Sequence, residues 1–223
     1  MKLFLCVGVF SVVLVLVPLA FASEKDLLNQ SIEVLYELSQ SVDRKILSPL
    51  FTKAWGIAVF PRVRRIGLLV GVAEGRGVIF ARGRSRETLF GPAFYTIRGV
   101  HVGLQVGVQS QDIVLFFMRK PQDETIVLGG NFAVALGPTG RGFSATVDTE
   151  LSAPCYAYAL SRGIFVGVSL EGTKIVEDTE ANRRFWGQDV TATTILSQFL
   201  PPDFASRTLS RLLVTLTEGD GGK

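Results

Sequence analysis

The sequence holds one histidine and two cysteines in 223 residues. A multi-histidine metal centre is therefore impossible. Two cysteines are too few for a disulfide scaffold or a cysteine-rich zinc site. Charged residues make up only 19% and hydrophobic residues 48%, a balance that excludes a disordered chain. No stretch is long enough to act as a linker between domains. The length suits one domain and suffices to bury a core without staples. What is plentiful is glycine: 23 residues, with no collagen-like period to explain them.

The first residues read as an address. Lys2 precedes an apolar run from Leu3 to Phe21, interrupted by Pro18 and closed by Ala20-Phe21-Ala22. This pattern predicts a signal peptide over 1–22, cleaved after Ala22. The alternative is an N-terminal membrane anchor, since the run is just long enough to span a bilayer. Cys6 lies too early for a lipid attachment site. Cleavage leaves one thiol, Cys155, which cannot form an internal disulfide. Its setting, Ala153-Pro154-Cys155-Tyr156-Ala157-Tyr158, predicts a buried inert group, with no histidine nearby to make it a nucleophile.

Leu28, Ile32, Leu35, Leu38 and Val42 recur at helical spacing and predict a helix over 24–41. A second helix is expected from Ser48-Pro49 through Lys53. From Trp55 to about Ile175, short Val/Ile/Phe runs alternate with Gly, Pro, Asp and Arg clusters. Strands are predicted near 56–60, 66–73, 76–82, 93–98, 100–108, 112–118, 125–128, 131–136, 142–148, 155–160, 163–170 and 173–176. Asp178, Asp189 and Asp203 are expected to cap helices over 179–186, 190–199 and 204–216. The fold class is α+β: a mainly antiparallel, strongly curved sheet, rolled or barrel-like, with N- and C-terminal helices packed on it. The expected organisation is a single domain over 23–218 and a disordered tail over 219–223.

Three segments repeat a glycine pattern: GLLVGVAEG (67–75), GVHVGLQVG (99–107) and GIFVGVSLEG (163–172). Read as strands, each puts β-branched residues such as Val72, Val100 and Val166 on one face, expected to be core. Glycine lines the other face, either to let a curved sheet pack closely or to form a ligand groove. His101 falls on this glycine face and is read as structural. GVSLEGTK (167–174) has the wrong order for a phosphate loop, and GPTGRG (137–142) reads as a tight turn. No catalytic set emerges, and neither a metal nor a cofactor is expected.

Charge is more informative. Between Lys53 and Arg98 stand nine basic residues against Glu74 and Glu87, a net of +7. Arginine grips phosphate in a planar fork. Were the strand at 76–82 to persist, Arg82, Arg84 and Arg86 would project to one side at intervals of roughly 7 Å. The candidate lipid-binding residues are Arg62, Arg64, Arg65, Arg76, Arg82, Arg84 and Arg86. A solvated basic face is the alternative. Nucleic acid is not an expected partner, because export removes the usual targets and no aromatic-rich binding motif appears.

The segments KAWGIAVFP (53–61), GRGVIFAR (75–82), GPAFY (91–95), GLQVGVQSQDIVLF (103–116), GPTGR (137–141) and SRGIFVGVSLEG (161–172) resemble the SYLF lipid-binding domain family, as do Tyr156, Tyr158, Asn182 and Phe185-Trp186-Gly187. The resemblance implies a compact, non-enzymatic, membrane-binding domain, with phosphoinositide ligands in eukaryotic members and actin binding in fungal ones. An exported bacterial member would be periplasmic and would meet neither. Family membrane binding has been linked to an amphipathic N-terminal helix. Here that helix carries Glu24, Asp26, Glu33 and Glu37 against Lys25, so anionic lipid is expected at the arginines instead. The rival function is an envelope structural or protein-interaction module. The sequence leaves the protein partner and the oligomeric state open.

Overall fold

The computed structural model describes residues 23–67, 70–83, 88–102, 107–137, 151–161, 164–165, 170–200, 207–208 and 211. The chain runs α1 (Glu24–Ser41), α2 (Arg44–Lys53), β1 (Gly56–Gly67), β2 (Val70–Arg82), β3 (Leu89–Val102), β4 (Gly107–Phe117), β5 (Ile126–Val127), β6 (Ala135–Leu136), β7 (Cys155–Ser161), β8 (Ile164–Phe165), β9 (Lys174–Glu177), α3 (Thr179–Trp186) and α4 (Ala192–Gln198). The strands form one strongly curved sheet in the order β5-β9-β3-β2-β1-β4-β7-β6, with β8 beside β7. The pairings are antiparallel except between β6 and β7. The α+β expectation holds.

Both faces of the sheet are buried over much of its area. On one face, Ile57, Val59, Val78, Phe80, Phe94, Val114 and Phe116 meet Leu28, Leu35 and Leu38 of α1 and Leu47, Leu50 and Phe51 of α2. On the other, Phe60, Ile79, Tyr95, Ile113 and Phe117 meet Ile195 and Leu196 of α4 together with Ile126, Leu128 and Phe132. Burial on both sides explains why Gly56–Phe60 reads as continuous apolar sequence rather than alternation.

α1 keeps its predicted bounds. Ser23 caps it: its Oγ accepts from the Asp26 N–H at 3.2 Å, and Asp26 Oδ2 accepts from the Ser23 N–H at 3.3 Å. α3 also matches, with Asp178 Oδ1 accepting from the Ala181 N–H at 3.0 Å. α2 starts earlier than expected. Asp43 caps it, its Oδ1 accepting from the Lys45 N–H at 2.8 Å, so Pro49 lies inside the helix and not at its first turn. α4 is capped by Thr191, whose Oγ1 accepts from the Thr194 N–H at 3.3 Å, rather than by Asp189. Of the expected helix at 204–216, only Arg207, Thr208 and Arg211 are among the described residues, and they are helical.

The glycine segments need correction. The predicted strand at 66–73 reverses direction: β1 ends at Gly67, β2 begins at Val70, and Gly67 stands opposite Gly71. The strand at 100–108 is likewise broken, between the end of β3 at Val102 and the start of β4 at Gly107. These connections carry no polar turn residues at their start, so periodicity alone read through them. Of the third segment, only Ile164–Phe165 is described as strand. The predicted strand at 142–148 lies outside the described residues. The face assignment also reverses. Val72 and Val100 are exposed, whereas Ala73 is buried. Glycine serves close packing: a Cβ on Gly77 would strike the Val59 carbonyl and the Phe60 ring, and one on Gly99 would lie 2.7 Å from Thr173 Oγ1. Cys155 is fully buried, and burial pushes its thiol pKa upward.

Candidate functional site

The five described arginines of the seven, Arg62, Arg64, Arg65, Arg76 and Arg82, do not gather into one patch. Arg76 is turned inward as a bolt: Nη2 meets Glu24 Oε1 at 3.1 Å and Nε meets Asp178 Oδ2 at 3.2 Å. It ties the first turn of α1 to the cap of α3. Arg184 also holds Glu24, at 2.8 Å. Burial works to raise the Glu24 pKa, but the arginine and backbone hydrogen bonds outweigh it and hold the carboxyl below its ordinary value. Arg82 Nη2 donates to the Phe51 carbonyl at 2.7 Å, closing the end of α2. Arg65 is 6% exposed on the inner face, where burial lowers its pKa. Arg84 and Arg86 lie outside the described residues. β2 ends at Arg82, so they follow the end of β2 remote from Val72. Ten residues of strand, roughly 33 Å, separate Val72 from Arg82.

Arg62 and Arg64 remain exposed, and a bulge presents them. β1 takes three steps from Phe60 to Val63 where β4 takes two, from Ile113 to Gln111. Arg62 occupies the left-handed region at φ 51°, unusual for a residue with a side chain. Its N–H donates to Asp112 Oδ1 at 2.7 Å. One extra residue swaps every later side chain to the opposite face. Val63 and Arg65 thereby turn inward. Arg64 and Ile66 turn to the helix-side face.

Beyond the reach of α1 no described helix covers that face, and register orders it. Arg64 stands opposite both Glu74 and Ser110, and Glu74 opposite Arg98. Arg98 Nε bonds Glu74 Oε1 at 2.9 Å, with both side chains more than half exposed. One pair further out, Ile66 stands opposite Val72 and Val108, and Val72 opposite Val100. The resulting row, Val100–Val72–Ile66–Val108, is 64%, 56%, 56% and 70% exposed. Sequence reasoning assigned Val72 and Val100 to the core and did not single out Arg98, Ile66 or Val108. Alternation in β2 and β3 marked a distinct β-branched face. Nothing in the sequence told whether a helix covers it.

Asn182 and Trp186, two of the residues that carried the family resemblance, are scaffold. Asn182 Oδ1 accepts from the Phe94 N–H at 2.7 Å and its Nδ2 donates to Glu177 Oε1 at 3.0 Å. Trp186 Nε1 donates to the Pro92 carbonyl at 3.2 Å. A half-open cleft of about 1230 Å³ lies at the opposite end of the strands, lined by Trp55, Tyr95, Lys120, Glu177 and Thr193 among others. Cys155 is not among its lining residues. Among the described residues no group of three His, Cys, Asp or Glu is placed to hold a metal. No described helix is long and apolar enough to cross a membrane.

Residues 98–216 match the family model Ysc84, described as Las17-binding protein actin regulator. The SH3 domain-containing YSC84-like protein 1 of Rattus norvegicus is 34% identical over 182 residues, covering 79% of this chain and 53% of the relative. Its Xenopus laevis counterpart is 37% identical over 155 residues, or 65% and 45% of the two chains. The LAS seventeen-binding protein 3 of Saccharomyces cerevisiae (strain ATCC 204508 / S288c) is 36% identical over 181 residues, or 77% and 39%. The chain spans about half the length, or less, of these curated relatives. No solved structure matches it. With the family model covering more than half of the chain and the curved sheet in place, the chain belongs to the Ysc84 family, the proteins of the SYLF domain.

Proposed function

We propose that the chain is an exported, non-enzymatic domain that binds membrane surfaces carrying anionic lipid. The carrying observation is the group of exposed guanidinium groups, Arg62, Arg64 and Arg98, at the bare end of the sheet. Against Glu74 and Asp112 they leave a net of +1 among these five side chains. That is enough to favour anionic head groups but too little to dominate. The bulge held by Asp112 supports the reading, because it turns Arg64 outward. In this reading Arg65, Arg76 and Arg82 are structural. The expected leader supports an exported, periplasmic location, and Ser23, which follows its last residue, is the cap of α1.

Vesicle flotation tests the proposal. Recovery should be higher with phosphatidylglycerol vesicles than with phosphatidylcholine alone, and should fall with salt. Reversing Arg62 and Arg64 to glutamate should remove the preference. Equal recovery from neutral and anionic vesicles would sink it.

The family description and the name of the yeast relative favour a second reading, a protein partner. A stable protein complex on pull-down, with no vesicle binding, would select it. Binding of an actin regulator would further require that the chain stay in the cytosol.

A further inference from the structure

We propose that the row Val100–Val72–Ile66–Val108 enters the boundary between head groups and acyl chains, while Arg64 and Arg98 stay at the level of the phosphates. This rests on the membrane reading above and assigns it a surface and a depth.

Register makes the two rows parallel. Each arginine lies two residues inward of its apolar neighbour on the same strand: Arg64 behind Ile66, and Arg98 behind Val100. Two residues of strand span about 6.6 Å. Apolar faces that bind at the interface sink roughly 5–10 Å into the head-group region. With the row at the acyl boundary, the guanidinium groups therefore reach the phosphates, and long arginine side chains add further reach. The Arg98–Glu74 pair is exposed. Such a pair is worth little, so Arg98 can exchange its carboxylate for a phosphate oxygen.

The size of the patch argues against a protein occupant. Four Val and Ile side chains fall within the ~300–600 Å² of the largest patch on an ordinary monomer. A stable protein interface needs roughly 800 Å² from each partner. A bilayer has no such threshold, and charge complementarity between Arg64, Arg98 and anionic head groups supplies orientation.

The test uses the exported chain from Ser23 onward, leaving Cys155 in place because it is fully buried. An environment-sensitive fluorophore is attached at Val72→Cys, at Val108→Cys and, as a control on the exposed side of α4, at Thr193→Cys. Vesicles of phosphatidylcholine and phosphatidylglycerol should shift emission to the blue at the first two positions. Acyl-chain doxyl lipid should quench them there and leave the third unchanged. The unlabelled variant Val72→Ser/Val100→Ser should lose about tenfold in vesicle partition while melting as the parent does. Flotation with neither a blue shift nor an effect of the serines would overturn this inference and leave the membrane reading standing. Failure of the unlabelled parent to float on any vesicle would overturn both. A blue shift that grows with protein concentration in the absence of lipid would make the row an interface between copies and also overturn the inference.

Discussion

The same four central strands carry two rows of nearly the same chemistry. In one, Phe94, Val78, Val59 and Val114 stand opposite one another across β3, β2, β1 and β4, each 1% exposed or less. In the other, Val100, Val72, Ile66 and Val108 stand in the same strand order, each more than half exposed. Both rows lie on the same face of the sheet. The first lies under α1 and α2, and the second lies beyond them. Core and surface are thus separated here by where the helices end, not by side-chain type. An exposed apolar row just beyond a row of charged residues is the part of the fold that packing does not explain.

The widest contrast should appear in stability. Phe94→Ala should cost about 3–5 kcal/mol by urea unfolding, because it empties a site under the helices. Val72→Ala should stay within about 0.5 kcal/mol. Equal losses would erase the distinction between the two rows.

The bulge that joins the halves comes next. Asp112→Ala removes the acceptor of the Arg62 N–H and should cost about 1 kcal/mol, together with part of the vesicle binding. Unchanged binding would show that Arg64 and Ile66 do not depend on that register.

The covered half should also respond to acid. The Glu24 carboxyl titrates below its ordinary value when folded. The stability it contributes is therefore complete above the unfolded carboxylate pKa of about 4.3 and is lost as pH falls through the lower folded value. Glu24→Gln should flatten that part of the stability–pH curve. The mutation leaving the curve unchanged would deny Glu24 its role in fastening α1. Arg64→Glu, like Val72→Ala, should stay within about 0.5 kcal/mol in stability while weakening flotation on anionic vesicles.

Legibility followed local chemistry. α1 could be read to the residue from its apolar spacing and α3 from its Asp178 cap, and Ser23 proves to be the side chain that starts α1. α2 could not, because Pro49 suggested a start that Asp43 had already made. The curved sheet was legible as a class. Its strand ends were not, because Gly67 and Gly71 close a hairpin inside an apolar run that has no polar turn signal. The arginine excess pointed to one region without saying which way each side chain turns. Arg76 faces two carboxylates brought from residues 24 and 178, and no local pattern encodes such distant partners. Arg64 faces outward only because one residue was added at the bulge. The apolar row became visible once register and helix cover were both known.

Hydrogen–deuterium exchange with and without anionic vesicles tests most directly whether the bare end of the sheet is where the protein meets a membrane. Exchange should slow in peptides spanning Ile66–Val72 and Val100–Val108 and stay unchanged across Phe94, Val78, Val59 and Val114. Protection confined to α1 or to the α4 cleft, with none at the two outer peptides, would contradict the account.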